Sequence, residues 1–243
     1  MLAAPRPLAY PSPTMSPKQR AAEAAMKYVR SGMVVGLGTG STADLFLQAL
    51  AAAIKDGRVR DVRGVPTSRQ SERRAAHLNI PLTTLADHPR PDVTIDGADE
   101  VAPDLDLIKG LGGALLREKI VAQISDKLVI IADASKAVAK LGTKAMLPVE
   151  VVPFAHETHE VFLRSLGAMP TLRRSGDALY LTDNGNYIYD CRFNGIDDPE
   201  ALDLALRRRA GVVETGLFVG MASVALVATD ERVEERVRVR REG

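Results

Sequence analysis

Apolar and polar positions alternate in blocks along the chain, and the period of each block predicts its element. Ser16-Pro17 offers a helix cap followed by proline at the first helical position, so a helix is expected over 17–30, ending near Gly32. The short apolar run 33–37 predicts a buried strand, and Ser41-Thr42 opens a helix to about 54. Strands are expected at 62–65, 81–85 and 93–95, with a helix over 68–78 between the first two. A helix at 114–125 then precedes a strongly apolar strand at 128–132. Strands separated by helices predict parallel β-α units with helices on both faces.

The pattern changes near Pro148. A strand at 149–152 leads into a helix reaching about 166, and Asn184-Gly185 marks a hairpin turn between strands at 178–182 and 187–192. A helix at 199–209 and an extended run at 211–218 complete a β-α-β-β-α-β order, the ferredoxin-like split arrangement. The apolar run 222–228 is expected to return to the first sheet, which makes the second unit an insertion. The expected organisation is a Rossmann-like parallel-sheet core over 16–147 and 218–243, with a small α+β domain at 148–217. The proline-rich residues 1–15 read as a disordered extension, with Met15 as an alternative start. The tail 231–243 reads as an exposed edge or a frayed end.

Composition narrows the partners. Thirty-two basic and 31 acidic residues leave a net charge of +1, which gives no reason to expect nucleic acid or an anionic membrane. No apolar run has the length of a membrane-spanning helix. The one cysteine, Cys191, forbids an intrachain disulfide, suits a reducing compartment, and reads as a buried structural thiol.

Two segments carry candidate chemistry. In the first, Gly36, Gly38 and Gly40 lie between a strand and the helix opened by Ser41-Thr42. Bare backbone and free N–H groups at a helix start suit a phosphate, although a tight turn with a cap explains the same residues. The run is neither the dinucleotide fingerprint nor a P-loop.

The second segment places Asp96, Asp99, Glu100, Asp104 and Asp106 just beyond the 93–95 strand, followed by Lys109, Gly110, Gly112, Gly113 and Glu118. Ligands in open α/β sheets bind beyond the carboxyl ends of strands. A calcium loop fails because Ile108 and Lys109 stand where a ligand and a glycine are needed. The four histidines form no zinc pattern, and His156 and His159 read as a solvated helix face. What remains is either acid–base chemistry, with Lys109 paired to Asp96 or Asp99 and Glu118 as a partly desolvated base, or a structural ion-pair network.

Taken in order, GLGTGSTA at 36–43, PTSRQSE at 66–72, DGADEV at 96–101, IKGLGGALLREKIVA at 108–122, IADASK at 131–136, LPVEVVPFA at 147–155, TDNGN at 182–186 and GVVETGLF at 211–218 resemble ribose-5-phosphate isomerase, type A. The resemblance runs from Met15 to about Ala228. It implies interconversion of ribose 5-phosphate and ribulose 5-phosphate through a cis-enediolate, without metal or organic cofactor. It implies Glu118 as the base, Asp96 as the ring-opening acid with Asp99 nearby, and Lys109 as the cation at the developing oxygen charge. It also implies a substrate site at Thr39, Gly40, Ser41, Thr42, Asp96, Gly97, Ala98, Asp99, Lys109, Gly110, Leu111, Gly112 and Lys136, in a cytoplasmic homodimer or homotetramer. The extension at 1–15, Leu111 in a run that is often glycine, and the long charged tail depart from the family pattern. An amino-sugar-phosphate isomerase or deaminase and a sugar-phosphate sensor are the competing functions. The DGADE and GGALLREK runs argue against the first, and the near-neutral charge gives the second no DNA-binding face.

Overall fold

The computed structural model describes residues 15–238. The expected disordered extension therefore lies, apart from Met15, outside the described residues, as does the end of the charged tail. Helix α1 (Pro17–Ala25) starts as its sequence dictates: Ser16 Oγ accepts from Gln19 N–H, and the Gln19 side chain accepts from Ser16 N–H. It is shorter than expected, tightening into a 3-10 turn at Met26–Tyr28.

The first layer follows as β1 (Val34–Leu37), α2 (Ser41–Lys55), β2 (Arg63–Pro66), α3 (Arg69–His77), β3 (Val93–Gly97), β4 (Glu100–Val101), β5 (Leu107–Ile108), α4 (Leu115–Ile124) and β6 (Leu128–Asp133). The second comprises β7 (Leu147–Val151), α5 (Thr158–Ser165), β8 (Met169–Leu172), β9 (Arg174–Ser175), β10 (Ala178–Leu179), β11 (Tyr187–Arg192), α6 (Pro199–Arg207) and β12 (Val212–Thr215). The chain closes with β13 (Leu217–Phe218), β14 (Val224–Ala228) and β15 (Val233–Val237).

A six-stranded sheet has the order β15-β14-β6-β3-β1-β2 and is parallel except for β15. Both faces are covered at the centre of the sheet, so β6 and β14 are apolar and buried almost throughout. Val129 and Ile131 pack with α1 and α2, while Leu128, Ile130 and Ala132 pack on the opposite side with Leu107 and Phe218. As expected, 224–228 returns to this sheet beside β6. The described part of the tail is an exposed edge strand paired with β14.

The second sheet is antiparallel with the order β12-β7-β11-β8, which is the ferredoxin-like arrangement, and α5 and α6 supply Leu163 and Leu206 to its core. Cys191 is buried in that core, and burial pushes its thiol up to about 12. A small sheet, β13-β5-β4, joins the layers.

Several expectations are corrected. Residues 81–85 form no strand; Leu82 makes only an isolated bridge to Gly64. The hairpin expected between 178–182 and 187–192 does not form, because β8 occupies that edge of β11. Proline at 170 disguises β8, and it is tolerated because β8 is an edge strand. The Asn184-Gly185 turn exists, but Thr182 Oγ1 and Asn186 Nδ2 both donate to Glu150 Oε1 on β7, at 2.8 and 2.9 Å, and draw the segment across the sheet. Residues 178–179 pair instead with 174–175. His159 is buried rather than solvated, and desolvation holds its pKa down.

Sheet order now fixes where chemistry can occur. From β1 the chain passes through α2 to β2 on one side, whereas β3 lies on the other. Such a reversal opens a crevice at the carboxyl ends of the two strands.

Candidate active site

Beyond β1 the backbone passes so close to β3 that a Cβ at Gly38 would lie 2.3 Å from Asp96 Oδ1 and 2.6 Å from Asp96 Cα. Glycine is therefore required there. Gly40 takes φ +112°, a conformation open to glycine, and starts α2 without a side-chain cap. The first N–H groups of a 15-residue helix thus face the crevice, an arrangement suited to an anion.

Asp96, next to last in β3, is engaged through both carboxylate oxygens. Its Oδ1 accepts from Thr39 N–H at 3.0 Å and from Gly97 N–H at 2.7 Å, and its Oδ2 lies 3.0 Å from Lys109 Nζ. Lys109, at the end of β5, also donates to Gly97 O at 2.5 Å and to Glu118 Oε1 at 3.2 Å. Lys109 is 2 % exposed and Glu118 4 %. Glu118 sits in the first turn of α4, and its Oε2 is buried without a hydrogen-bond partner among the described residues.

Burial pushes the Glu118 carboxyl up, to about 8; Lys109 opposes the shift, while Asp96 and Asp99 add to it. For Lys109 burial works against the charge, but Asp96, Glu118 and Asp99 together outweigh it, and its pKa ends above that of a free lysine. The lysine therefore stays charged while Glu118 is poised to exchange a proton near neutral pH.

The cleft is lined by Thr39, Gly40, Ser41, Thr42, Gly97, Ala98, Asp99, Lys109, Gly110, Gly112, Glu118 and Lys136. Of the sequence candidates, Asp96 lies beneath this surface and Leu111 is turned outward, 38 % exposed, with its N–H donated to Asp99 Oδ2 at 3.0 Å. Lys109 pairs with Asp96 and Glu118; Asp99 instead accepts the Leu111 N–H. The other acids leave the site. Glu100 accepts from Gly142, Lys144 and Ala145 N–H groups, and Asp106 accepts from Arg238 and Gly220. Lys119 also turns away from Glu118, reaching Glu214 Oε1 at 2.7 Å.

Sequence reasoning missed Lys18. From α1 it lines the same cleft and donates to Ser41 Oγ at 2.9 Å. Its one sequence signal is a cation in the first turn of a helix where an acid would match the dipole. Among the described residues, no group of three or more His, Cys, Asp and Glu side chains converges as metal ligands.

Comparison with known proteins shows the family. A family model described as ribose 5-phosphate isomerase A (phosphoriboisomerase A) matches residues 63–232. A ribose-5-phosphate isomerase A of Desulfatibacillum aliphaticivorans is 52 % identical over 220 residues, covering 90 % of this chain and 95 % of that protein. One from Roseiflexus castenholzii is 53 % identical over 220 residues, with 90 % and 94 % covered. Among solved structures, a D-ribose-5-phosphate isomerase in complex with phospho-erythronic acid superimposes with a TM-score of 0.89 at 39 % identity, over 91 % of this chain and 97 % of the other. The ribose 5-phosphate isomerase A of Methanocaldococcus jannaschii gives 0.86 at 40 %, over 90 % and 97 %.

Proposed function

The chain belongs to the ribose 5-phosphate isomerase A family, and we propose on that basis that its cleft interconverts ribose 5-phosphate and ribulose 5-phosphate, with Glu118 carrying the proton between C2 and C1. The observation that carries this reading is the buried, unpartnered Glu118 Oε2 beside a lysine held charged. A base must have a free lone pair and a pKa near the working pH, and Glu118 has both.

The phosphate belongs at the start of α2, where Thr39 to Thr42 offer N–H and hydroxyl donors and Lys18 and Lys136 offer charge. Binding there fixes the sugar's far end, so that remote binding energy lowers the barrier at C1 and C2. Ring opening, which the resemblance gives to Asp96 with Asp99 nearby, falls in this reading to Asp99, which faces the cleft and can meet the ring oxygen or hydroxyl. Asp96, already bonded on both oxygens, holds Lys109 in place beneath it. Proton removal from C2 leaves charge on the C1 oxygen, and the Lys109 ammonium stabilises it. The O2 proton then passes to O1, which moves the charge to the C2 oxygen; Glu118 returns the carbon-bound proton to C1, and the C2 oxyanion becomes the ketose carbonyl. The reading extends to a cytoplasmic homo-oligomer; the large apolar Phe154 and Val161 on the second layer are 87 % and 75 % exposed and suit a protein contact.

Two measurements test it. A coupled assay with ribose 5-phosphate is expected to show turnover that survives EDTA, because the step needs only the side chains above. Loss on chelation with rescue by one added metal overturns the metal-free mechanism, and no turnover at all overturns the function. The pH profile is the second. Glu118 works deprotonated, and its pKa is raised, so kcat/KM is expected to climb with pH along a limb near 8. The same shift acts on stability with the opposite slope. The folded state holds the Glu118 proton more tightly than the unfolded chain, so its stabilising share is complete below the ordinary carboxylate pKa and is lost as pH rises toward 8. An activity limb in the ordinary carboxylate range contradicts a desolvated base.

A further inference from the structure

The glycine run at 110–112 lies between the two layers, and its carbonyls face the second one. Arg173, between β8 and β9, donates from Nη1 to Gly110 O at 3.3 Å and to Leu111 O at 3.1 Å. Its Nε donates to Asp190 Oδ2 at 2.8 Å and its Nη2 to the other oxygen of the same carboxylate. Both side chains are largely buried. The guanidinium lies 5.5 Å from the Tyr180 ring centroid, and Tyr180 Oη donates to Gly112 O at 3.4 Å. Gly113 lies against that ring so closely that a Cβ there would come within 2.0 Å of Tyr180 Oη.

Peptide planarity turns these contacts into a statement about the cleft. A trans peptide points its carbonyl and the following N–H in opposite directions, and no cis bond occurs among the described residues. With the Gly110 carbonyl held by Arg173 and by the Gly113 N–H at 2.9 Å within the loop, the Leu111 N–H points away from it and reaches Asp99. With the Leu111 carbonyl held by the same group, the Gly112 N–H also points away, toward the cleft that Gly112 lines. Among the described residues that N–H donates to no acceptor.

We propose that Arg173, braced by Asp190, is a positioning residue that turns the 110–112 peptides so that Leu111 N–H orients Asp99 and Gly112 N–H meets a sugar oxygen beside Lys109. The inference rests on the isomerase reading. An ion pair needed only to close the edge of the second sheet would be complete with Asp190 alone. Here the remaining donors cross to a loop 62 and 63 residues away in sequence and hold two consecutive carbonyls. A fork with fixed geometry can do this while gripping a carboxylate; a single ammonium cannot.

The test is steady-state kinetics of Arg173→Ala and Arg173→Lys, with inorganic phosphate as a competitive probe of the α2 end and guanidinium ion as a rescue agent. Loss of a positioned donor is expected to lower kcat about a hundredfold in Arg173→Ala. Phosphate inhibition should stay as in the wild type, because Arg173 does not touch residues 39–42, and millimolar guanidinium should restore part of kcat. An unchanged kcat, a parallel loss of phosphate inhibition, or indifference to guanidinium in the folded variant overturns the proposal. If Arg173→Ala does not fold, Arg173→Lys carries the test, and wild-type kcat in that variant overturns it. A wild-type protein inactive on ribose 5-phosphate removes the isomerase reading itself; an active wild type with indifferent Arg173 variants removes only this inference.

Discussion

Replacing Glu118 by glutamine is expected to lower kcat by about 10²–10⁴, the range a general base supplies, while KM stays close to that of the wild type. Glutamine has nearly the same shape and can present its carbonyl oxygen to Lys109 where Glu118 Oε1 now accepts at 3.2 Å. The lost feature is the second oxygen, buried and unpartnered, with a lone pair free for a proton. The proposed phosphate donors at Thr39 to Thr42 are untouched by the substitution, so phosphate binding is expected to stay as in the wild type. Steady-state isomerisation gives kcat and KM, and loss of label from C2-deuterated ribose 5-phosphate reads the proton step itself. A folded variant that keeps more than about a tenth of wild-type kcat contradicts the role, since that is too small a loss for a base in the rate-limiting transfer. Glutamine mimics the protonated acid that Glu118, with its pKa near 8, largely is at neutral pH, so this variant is expected to be about as stable there as the wild type, which separates chemistry from folding.

Such a residue was legible from sequence because its neighbours in space are neighbours in the chain. Asp96, Lys109 and Glu118 lie within 23 residues and come from the end of β3, the end of β5 and the first turn of α4. The glycine run before α2 was legible for the same reason: a strand, bare backbone and a helix start in immediate succession. Parallel core strands were legible because burial on both faces leaves them apolar throughout. What could not be read was set by distant partners. Lys18 enters the cleft only because α1 packs against α2, and Lys119 leaves Glu118 for Glu214, 95 residues on. Arg173 looks like any surface cation until its guanidinium is found on the Gly110 and Leu111 carbonyls. Strand β8 was hidden by Pro170, and the expected hairpin was displaced because Glu150 attracts Thr182 and Asn186 from another strand. In each case local propensity was outweighed by a tertiary contact, as expected where a half-exposed edge allows more than one pairing.

Substituting Lys109 by methionine is expected to damage both activity and stability. Among the described residues its ammonium is the one cation paired with Asp96 Oδ2 and Glu118 Oε1, at 3.0 and 3.2 Å, and all three side chains are buried. Removing one member of a buried pair leaves an uncompensated charge and costs about 3–5 kcal/mol. Part of that cost disappears if Glu118 takes up a proton, so its pKa, already raised by burial, should rise further in the variant. The sign follows: groups whose folded pKa rises are stabilising when protonated, so Lys109→Met should lose stability steeply as pH is raised, more than the wild type does. Activity falls for two reasons. The enediolate oxygen loses its cation, worth about 10²–10³ in kcat for a comparable donor. The Glu118 pKa, already about 8 in the wild type, also moves higher once Lys109 no longer opposes the shift, so the activity limb moves to a pH where the fold is weakest. Urea unfolding as a function of pH, run beside a kcat profile, checks both parts. Lys109→Arg should not restore the enzyme, because a larger planar fork cannot fill the space of an ammonium that also donates to Gly97 O at 2.5 Å. A Lys109→Met protein with wild-type kcat and a flat stability profile would mean that Asp96 and Glu118 are held apart by something other than this cation, and the site would need another source of positive charge.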